Sequence, residues 1–536
     1  MGYGMEKRVR TLSAFALLTG LAACGGGGTG ASFGQTTPKP TPSPTPTYVP
    51  GVYAPSSTFA AKCATPRTGK DANNQPFPDT QGSTVLENNW LRSWTNELYL
   101  WYSEVPDIDP STYSTTPAYF DVLKTSVVTP TGAPKDKFHF TYPTDVWLSL
   151  SQAGVQAGYG AQFVVLAATP PRKVVIAYLD SGSGTPAQTA NLSRGEEVIT
   201  VDGVDVVNDG SQTGTDALNA GLFPDTAGTQ HTFVLKELDG VTTRTVTMTA
   251  ANVTSTPVQN VQTLSNGGTN VGYIQFNDHI ATSEALLIDA FTQLQGVNDL
   301  ILDLRYNGGG YLAIASEVAY MIAGTGRTSG RTFELTQFND KHPTVDPVTG
   351  QTITPMPFLN MSQGFSTTAG ASLPSLNLGR VFVITGASTC SASEAILNSL
   401  DGVGVQVIQI GSTTCGKPYG FYPQDNCGTT YFSIEFRGVN DVGYGDYTDG
   451  FQPPSALVSG SKTFPGCAVA DDFSHALGDQ NEGRLAATLG YRLNGTCPTP
   501  PTGFAKPSAA GALLQPDGVA PKGPFRENRI ITRYKL

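Results

Sequence analysis

The stretch "DLILDLRYNGGG" at residues 299–310 is the strongest indication of the fold class. Its apolar run predicts a buried strand, and its three glycines predict a turn whose backbone a ligand can approach closely. Strand and helix patterns alternate around it: "NVGYIQF" (270–276), "TSEALLIDAFTQL" (282–294), "ASEVAYMIAG" (315–324), "RVFVITG" (380–386), "SASEAILNSL" (391–400) and "VQVIQIG" (405–411). This alternation predicts an α/β layer architecture from about residue 268 onward.

The composition limits the classes of function. The chain has 536 residues, which is enough for two to four domains with sizeable cores. Its net charge of −11 argues against a nucleic-acid partner, because such proteins usually present a basic face. No internal apolar run approaches the roughly 20 residues that span a bilayer.

The N-terminus has the pattern of an export signal. Lys7, Arg8 and Arg10 precede the short apolar stretch "LSAFALLTGLAAC". Its end, 21–24, resembles the lipobox of bacterial lipoproteins, in which Cys24 would be acylated and anchor the protein to a membrane. The alternative is a plain signal peptide cleaved near residue 23. The residue after the cysteine is glycine, whereas an aspartate there would favour retention in the inner membrane. We therefore expect an outer-membrane lipoprotein facing the periplasm, or one exported to the cell surface.

The middle of the chain predicts two further units. "NNWLRSWTNELYLWY" (88–102) places Trp90, Trp94 and Trp101 on one helical stripe, which indicates the core of a small helical domain. Short β runs separated by turns follow, among them a hairpin at 239–240. "GYGAQFVV" (158–165) with "TPAQTANLSRGEEVITVDGVDV" (185–206) resembles a bacterial PDZ domain. That resemblance implies that the backbone of Gly158, Tyr159 and Gly160 binds a peptide's C-terminal carboxylate. A generic small β domain is the alternative.

Three features of the α/β part point to a Ser–Lys site. Ser391 lies where a strand passes into a helix, Lys417 lies in an apolar and Gly/Thr/Cys context, and glycines 308–310 form the turn. A serine is a poor nucleophile until a base removes its proton, and lysine is a base only as the desolvated neutral amine. The oxyanion would be stabilised by the amide of Ala392 at the helix start and by that of Gly309.

These segments resemble the carboxyl-terminal processing (tail-specific) serine peptidases. "LILDLRYNGGG", "CSASEAILNSL" and "GSTTCGK" match that family's motifs in order, and its nucleophile and general base fall on Ser391 and Lys417. The resemblance implies a multidomain α+β protein with an N-terminal helical segment, an inserted PDZ-like domain and a crotonase-like (ClpP/crotonase) α/β core. It implies a serine endopeptidase that cleaves extracytoplasmic polypeptides, recognises them by their C-terminus through the PDZ-like domain, and needs no metal or other cofactor. The family often has a Gln four residues after the lysine, where this chain has Phe421.

Other interpretations of the same residues remain open. Ser391 would alternatively cap its helix, and Glu394, three residues later, has the spacing of a capping box and is assigned a structural role. His279 is the alternative base. "GSTTCGKP" (411–418) is one residue short of a phosphate-binding loop, but Pro418 stands where a hydroxyl is needed, so we reject a nucleotide site. A catalytically inactive peptide-binding scaffold is the alternative function.

The cysteines and the domain division complete the predictions. With Cys24 lipidated, six cysteines remain, and we expect the pairs Cys415–Cys427 and Cys467–Cys497, which leaves Cys63 for Cys390. The predicted units are a signal peptide (1–24), a Gly then Pro/Thr linker (25–62), a helical domain (63–152), a PDZ-like domain (153–252), a peptidase core (253–462) and a C-terminal extension and tail (463–536).

Overall fold

The computed structural model describes residues 47–71, 74–129, 131–182, 184–454, 462–498 and 528–530. Cys24 and the signal sequence therefore lie outside the described residues. Among the residues described, no helix is both long and apolar enough to cross a membrane.

The N-terminal segment is helical and packs on the later part of the chain. The aromatic stripe forms a helix that ends at Leu98, so Trp101 lies beyond it, contrary to the predicted stripe. Trp90 and Trp94 stack at 5.1 Å, and both contact Tyr431 of the core. The elements are β1 (Lys62–Cys63), β2 (Thr80–Gln81), α1 (Thr84–Leu98), α2 (Thr116–Val122), β3 (Phe140–Pro143) and α3 (Thr144–Ala153).

The middle segment is a small antiparallel β unit with its own core. Its sheet has the order β10-β9-β7-β6-β5, with β8 beside β7, and the predicted hairpin at Asp239-Gly240 joins β9 to β10. Buried Phe163, Leu218 and Phe233 pack between the sheet and α5. The elements are β4 (Val155–Gly158), β5 (Ala161–Ala167), β6 (Lys173–Leu179), α4 (Pro186–Thr189), β7 (Glu197–Val201), β8 (Val204–Asp205), α5 (Gln212–Leu222), β9 (Gln230–Lys236), β10 (Thr243–Thr249) and β11 (Ala251–Thr254).

The third segment is the predicted α/β layer. A six-stranded sheet has the order β12-β13-β14-β18-β19-β26, parallel from β13 to β26. The elements are β12 (Val258–Asn266), β13 (Thr269–Phe276), α6 (Ser283–Gln293), β14 (Asp299–Asp303), β15 (Gly309–Tyr311), α7 (Leu312–Ala323), α8 (Thr325–Thr328), β16 (Thr332–Phe338), β17 (Met356–Pro357), β18 (Arg380–Thr385), α9 (Ala392–Gly402), β19 (Gln406–Gly411), β20 (Tyr419–Gly420), β21 (Gln424–Asn426), β22 (Thr429–Phe432), β23 (Phe436–Val439), β24 (Phe451–Gln452), β25 (Lys462–Thr463), β26 (Gly466–Ala468), α10 (Gly483–Asn494) and β27 (Asn528–Ile530).

The two faces of this sheet are covered by different helices. Leu300 and Leu302 of β14 pack with α6, α7 and α9, whereas the intervening Ile301 packs with Leu485 of α10. Side chains alternate between the faces of a strand, so a strand covered on both faces must be apolar throughout. This requirement explains the uninterrupted apolar run in β14.

Two of the three expected disulfides are wrong. Cys467–Cys497 is confirmed, but Cys390 pairs with Cys415 and Cys63 pairs with Cys427. The first difference arises because β18 and β19 are parallel neighbours, so the loops after them meet although 25 residues separate their cysteines. The second difference, the Cys63–Cys427 bond, links the N-terminal segment to the β21–β22 turn.

Candidate active site

The three sequence motifs meet at one edge of the parallel sheet. β14 leads into the glycine segment, β18 into the turn before Ser391, and β19 into the loop before Lys417. The carboxyl ends of neighbouring parallel strands lie side by side, and ligands bind at that edge in open α/β sheets. The amide of Cys390 donates to the carbonyl of Asn307 at 3.1 Å, and that of Cys415 donates to Thr389 at 3.0 Å.

Ser391 occupies a strained position at the start of a helix. It is the N-cap of α9, with φ +59° and ψ −112°, and its side chain is fully buried. A residue other than glycine adopts positive φ at a cost in free energy, and such strain is frequent at functional sites. Ala392 begins α9, so its amide belongs to the first turn, whose N–H groups have no acceptor within the helix.

Glu394 joins the serine turn to the lysine loop. One carboxylate oxygen, Oε2, accepts the amides of Ser391 at 2.9 Å and Lys417 at 2.8 Å. The other, Oε1, accepts the amide of Gly416 at 2.8 Å and the hydroxyl of Thr414 at 2.5 Å. Burial raises the pKa of Glu394 above its ordinary value, although these four donors lower it. The predicted structural role is confirmed, but the contacts to the lysine loop were not foreseen from the spacing.

Lys417 lies in a buried, aromatic environment. Its side chain is fully buried, and Nζ lies 4.6 Å from the ring centre of Phe138 and 4.7 Å from that of Phe421. Burial disfavours the ammonium form, whereas the ring faces attract it. Phe421 therefore forms one wall around the amine.

The glycine segment is a short strand rather than only a turn. The Gly309 amide donates to Asn307 Oδ1 at 2.9 Å, and its carbonyl accepts the amide of His279 at 3.0 Å. Gly309 and Gly310 have φ of +104° and +132°, and a Cβ on Gly310 would lie 2.4 Å from the carbonyl oxygen of His279. A side chain therefore does not fit at position 310. The Gly309 amide, which was predicted to stabilise the oxyanion, already has an acceptor in this structure.

His279 lies beside this strand and is a weak base. Asn307 Nδ2 donates to the carbonyl of Phe276 at 3.0 Å, so its Oδ1 faces His279 and accepts from Nδ1 at 2.9 Å. The proton is therefore on Nδ1. Burial lowers the pKa of His279 to about 3, the dominant effect over its hydrogen bonds.

An ionic cluster surrounds Arg305, which lies just before the glycine segment in the chain. Arg305 bonds Asp303 at 2.8 Å, and also Glu482 at 2.6 Å and Asp471 at 2.8 Å. Burial alone would raise the pKa of Asp471, but the guanidinium groups of Arg484, Arg305 and Arg194 hold it well below its usual range. The two acids beyond 463 had no recognisable signal in the sequence.

The disulfide next to Ser391 also bears on metal binding. The sulfurs of Cys390 and Cys415 and a carboxylate oxygen of Glu394 lie within 4.8 Å of one another. Metals bind the thiolate form of cysteine, and these two sulfurs are bonded to each other. The group therefore fixes the two loops instead of holding an ion.

The loop 158–160 lines a groove of about 490 Å³ in the β unit. Phe163, Leu222 and Phe223 provide its apolar wall. Gly160 has φ +75°, and a Cβ there would lie 2.7 Å from Thr185. The three residues predicted to bind a carboxylate are thus brought together beside an apolar pocket.

Two segments of the chain match models of known protein families. Residues 270–420 match the model of peptidase family S41, and residues 87–140 match the peptidase S41 N-terminal domain. Two segments of the chain are therefore similar to domains of peptidase family S41.

Two curated relatives cover part of the chain. It is 29% identical over 174 residues to the carboxyl-terminal-processing protease of Picosynechococcus, covering 32% of this chain and 40% of that protein. It is 30% identical over 196 residues to the chloroplastic C-terminal processing peptidase of Tetradesmus obliquus, covering 34% and 38%. The chain thus spans about two fifths of the length of these relatives.

One solved structure shares the fold. A Bacteroides fragilis protein assigned to the S41 proteases superposes with a TM-score of 0.55 at 23% identity, covering 76% of this chain and 97% of that one. At this identity the likeness concerns the fold alone.

Proposed function

We propose that the protein is a serine endopeptidase in which Ser391 is the nucleophile and Lys417 the general base. The observation that carries the proposal is that one oxygen of Glu394 accepts the amides of both residues, which holds the two backbones together at the sheet edge. The strained φ of Ser391 supports it, as does the burial of Lys417. The low pKa of His279 argues against the alternative base.

In the proposed reaction Lys417 accepts the Ser391 proton as Oγ attacks the peptide carbonyl. The amide of Ala392 and an amide of the glycine strand, Gly309 as predicted or its neighbour Gly310, stabilise the oxyanion. Lys417 then protonates the leaving amine, and water hydrolyses the acyl-enzyme. The residues argued to act need no metal or other cofactor.

The test compares the wild type with Ser391→Ala and Lys417→Met on an unfolded protein that has an apolar C-terminal tail. We expect both variants to lose at least 10³-fold in kcat, since a nucleophile and its base act as a unit. Lys173→Met, an exposed lysine of the β unit, is the matched control and should retain full activity. A wild type that binds the tail without cleaving it would identify the inactive scaffold instead.

We also propose that the unit at 153–252 is a PDZ domain that binds substrate C-termini in the groove at 158–160. An apolar last side chain would enter the pocket of Phe163 and Leu222, and backbone amides of the loop would bind the carboxylate. A peptide ending in a free carboxylate should bind at least tenfold more tightly than its amidated form. Gly160→Ala should abolish that difference, and Gly240→Ala, with a similar φ at an open hairpin tip, should not. Equal binding of the two peptides would refute this role.

Export and lipidation at Cys24 are proposed from the sequence alone. The protein would then act on polypeptides of the cell envelope, as an outer-membrane lipoprotein facing the periplasm or the surface. Labelling with a fatty acid in a bacterial host should mark the wild type and not Cys24→Ser. Labelling of both would place the lipid elsewhere.

A further inference from the structure

A strand from the far end of the chain lies in the candidate active site. Residues 528–530 form β27, which pairs in parallel with β15, placing Gly309 opposite Asn528 and Tyr311 opposite Ile530. β27 also lies beside α9, which begins after Ser391, and beside β20, which begins two residues after Lys417. Its backbone therefore borders the glycine strand and the two elements that closely follow the serine and the lysine in the chain.

The direction of the hydrogen bonds follows from the contacts on the other edge of β15. The carbonyl of Gly309 and the amide of Tyr311 bond the backbone of His279, so both face away from β27. Groups alternate along a strand, so the amide and carbonyl of Gly310 face β27. In a parallel register opposite Arg529, Gly310 then donates to the carbonyl of Asn528 and accepts from the amide of Ile530.

An extended peptide substrate can add to the same edge of β15 as β27 does. An extended chain that adds to a strand edge is bound through its backbone, with little dependence on its side chains. The edge of β15 that β27 occupies includes Gly309 and Gly310, so a peptide backbone can approach it closely, beside α9. The edge that β27 occupies is thus the position where an extended substrate would lie.

We propose that the protein's own C-terminal tail is a substrate of its active site, bound as a strand on β15 and removed by cleavage near residues 528–530. This inference rests on the proposed peptidase function. Ser391 Oγ would form an ester with the carbonyl carbon of the cleaved bond, and the new amine would leave with the proton from Lys417. Water would then release the shortened chain with a new carboxylate and return the proton to Ser391. The site becomes open to other polypeptides only after this cleavage.

The test follows the C-terminus of the full chain by mass spectrometry of its terminal peptides, over time after purification. We expect the wild type to lose the end of "RENRIITRYKL" (526–536) and Ser391→Ala to retain Leu536. In the same samples an added unfolded protein reports general peptidase activity. Cleavage of the added protein with an intact tail refutes this inference alone, whereas no cleavage of either refutes the proposed function.

Two proline variants test the pairing. Ile530→Pro removes an amide that donates to Gly310 and should slow loss of the tail at least tenfold. Arg529→Pro, the matched control, removes an amide that faces away from β15 and should retain most of the rate. Equal rates in the two variants, or loss of the tail from Ser391→Ala, would overturn the proposal.

Discussion

Replacing Glu394 tests whether a single carboxylate holds the serine turn against the lysine loop. Glu394→Ala leaves the amides of Ser391, Gly416 and Lys417 without the acceptor that they have at 2.8–2.9 Å. The hydroxyl of Thr414 loses its acceptor as well. The Glu394 side chain is fully buried, so alanine leaves these donors in the protein interior.

The expected cost follows from the number of donors left unsatisfied. A buried amide without an acceptor costs about 1–3 kcal/mol, so three of them cost roughly 3–9 kcal/mol. A domain is stable by only about 5–15 kcal/mol, so Glu394→Ala should be severely destabilised. Glu394→Gln keeps one oxygen, which can still accept from Ser391 and Lys417, and its NH₂ can donate to Thr414. Only Gly416 then lacks an acceptor, at about 1–3 kcal/mol.

Hydrogen exchange and kinetics together measure this effect. In Glu394→Gln we expect faster amide exchange in peptides covering 388–418 and unchanged exchange in β14, with kcat lowered and KM little changed. Glu394→Ala should show a lower urea midpoint than Glu394→Gln. Wild-type exchange, stability and kcat in the alanine variant would show that the carboxylate does not position these loops.

Three further perturbations address the disulfide, a buried acid pair and the ionic cluster. Replacing both Cys390 and Cys415 by alanine should lower kcat at least tenfold and the free energy of unfolding by about 2–4 kcal/mol, because the bond ties the loops of nucleophile and base. Burial and the neighbouring Glu284 raise the pKa of Glu317 to about 9. Protonated Glu317 therefore contributes its full stability below pH 4.5, the ordinary pKa, and this contribution is lost as the pH rises through 9. Glu317→Gln should have a higher melting temperature than the wild type at pH 9 and the same melting temperature at pH 5, as measured by scanning calorimetry. Arg305→Met should lower the free energy of unfolding in urea by about 3–5 kcal/mol, because buried carboxylates lose their partner.

Each of these three predictions has a control or a result that would contradict it. Replacing Cys467 and Cys497 together removes another disulfide and should reduce stability without the loss of kcat. Thermal melts of wild type and Glu317→Gln that run parallel from pH 5 to 9 would contradict the role of that acid. For the cluster, Arg380→Met removes an arginine that is half-exposed in its ion pair with Asp299, and a cost equal to that of Arg305→Met would contradict the buried network.

The parts of the fold that depend on local pattern were predictable. β14, α6, α9 and β19 all form within a few residues of their predicted bounds, because a strand covered on both faces and a helix with one buried face impose distinct apolar periods. Ser391 and Lys417 come to the same sheet edge for the same reason. Once the strands before them are parallel neighbours, the loops after them must meet.

Contacts between distant segments were not predictable in this way. Cys415 lies 12 positions from Cys427 but bonds Cys390, since strand order rather than sequence distance decides which loops adjoin. Glu394 has the spacing of a capping residue, and nothing local shows that its second oxygen reaches Gly416. The position of β27 on β15 is similar, because more than 200 residues separate the paired strands.

The ionic cluster shows how far such remote contacts reach into the site. Asp471 bonds Arg305 after β14, and it also bonds Arg194 of the β unit and Tyr306 beside the glycine strand. Arg194 in turn donates to the hydroxyl of Tyr306 at 2.7 Å. Any movement of the β unit away from the core must therefore separate Arg194 from the Asp471 carboxylate, which is only 14% exposed, and from Tyr306. Because an unpaired buried charge is costly, the position of the β unit and the geometry of the glycine strand are energetically coupled through Asp471.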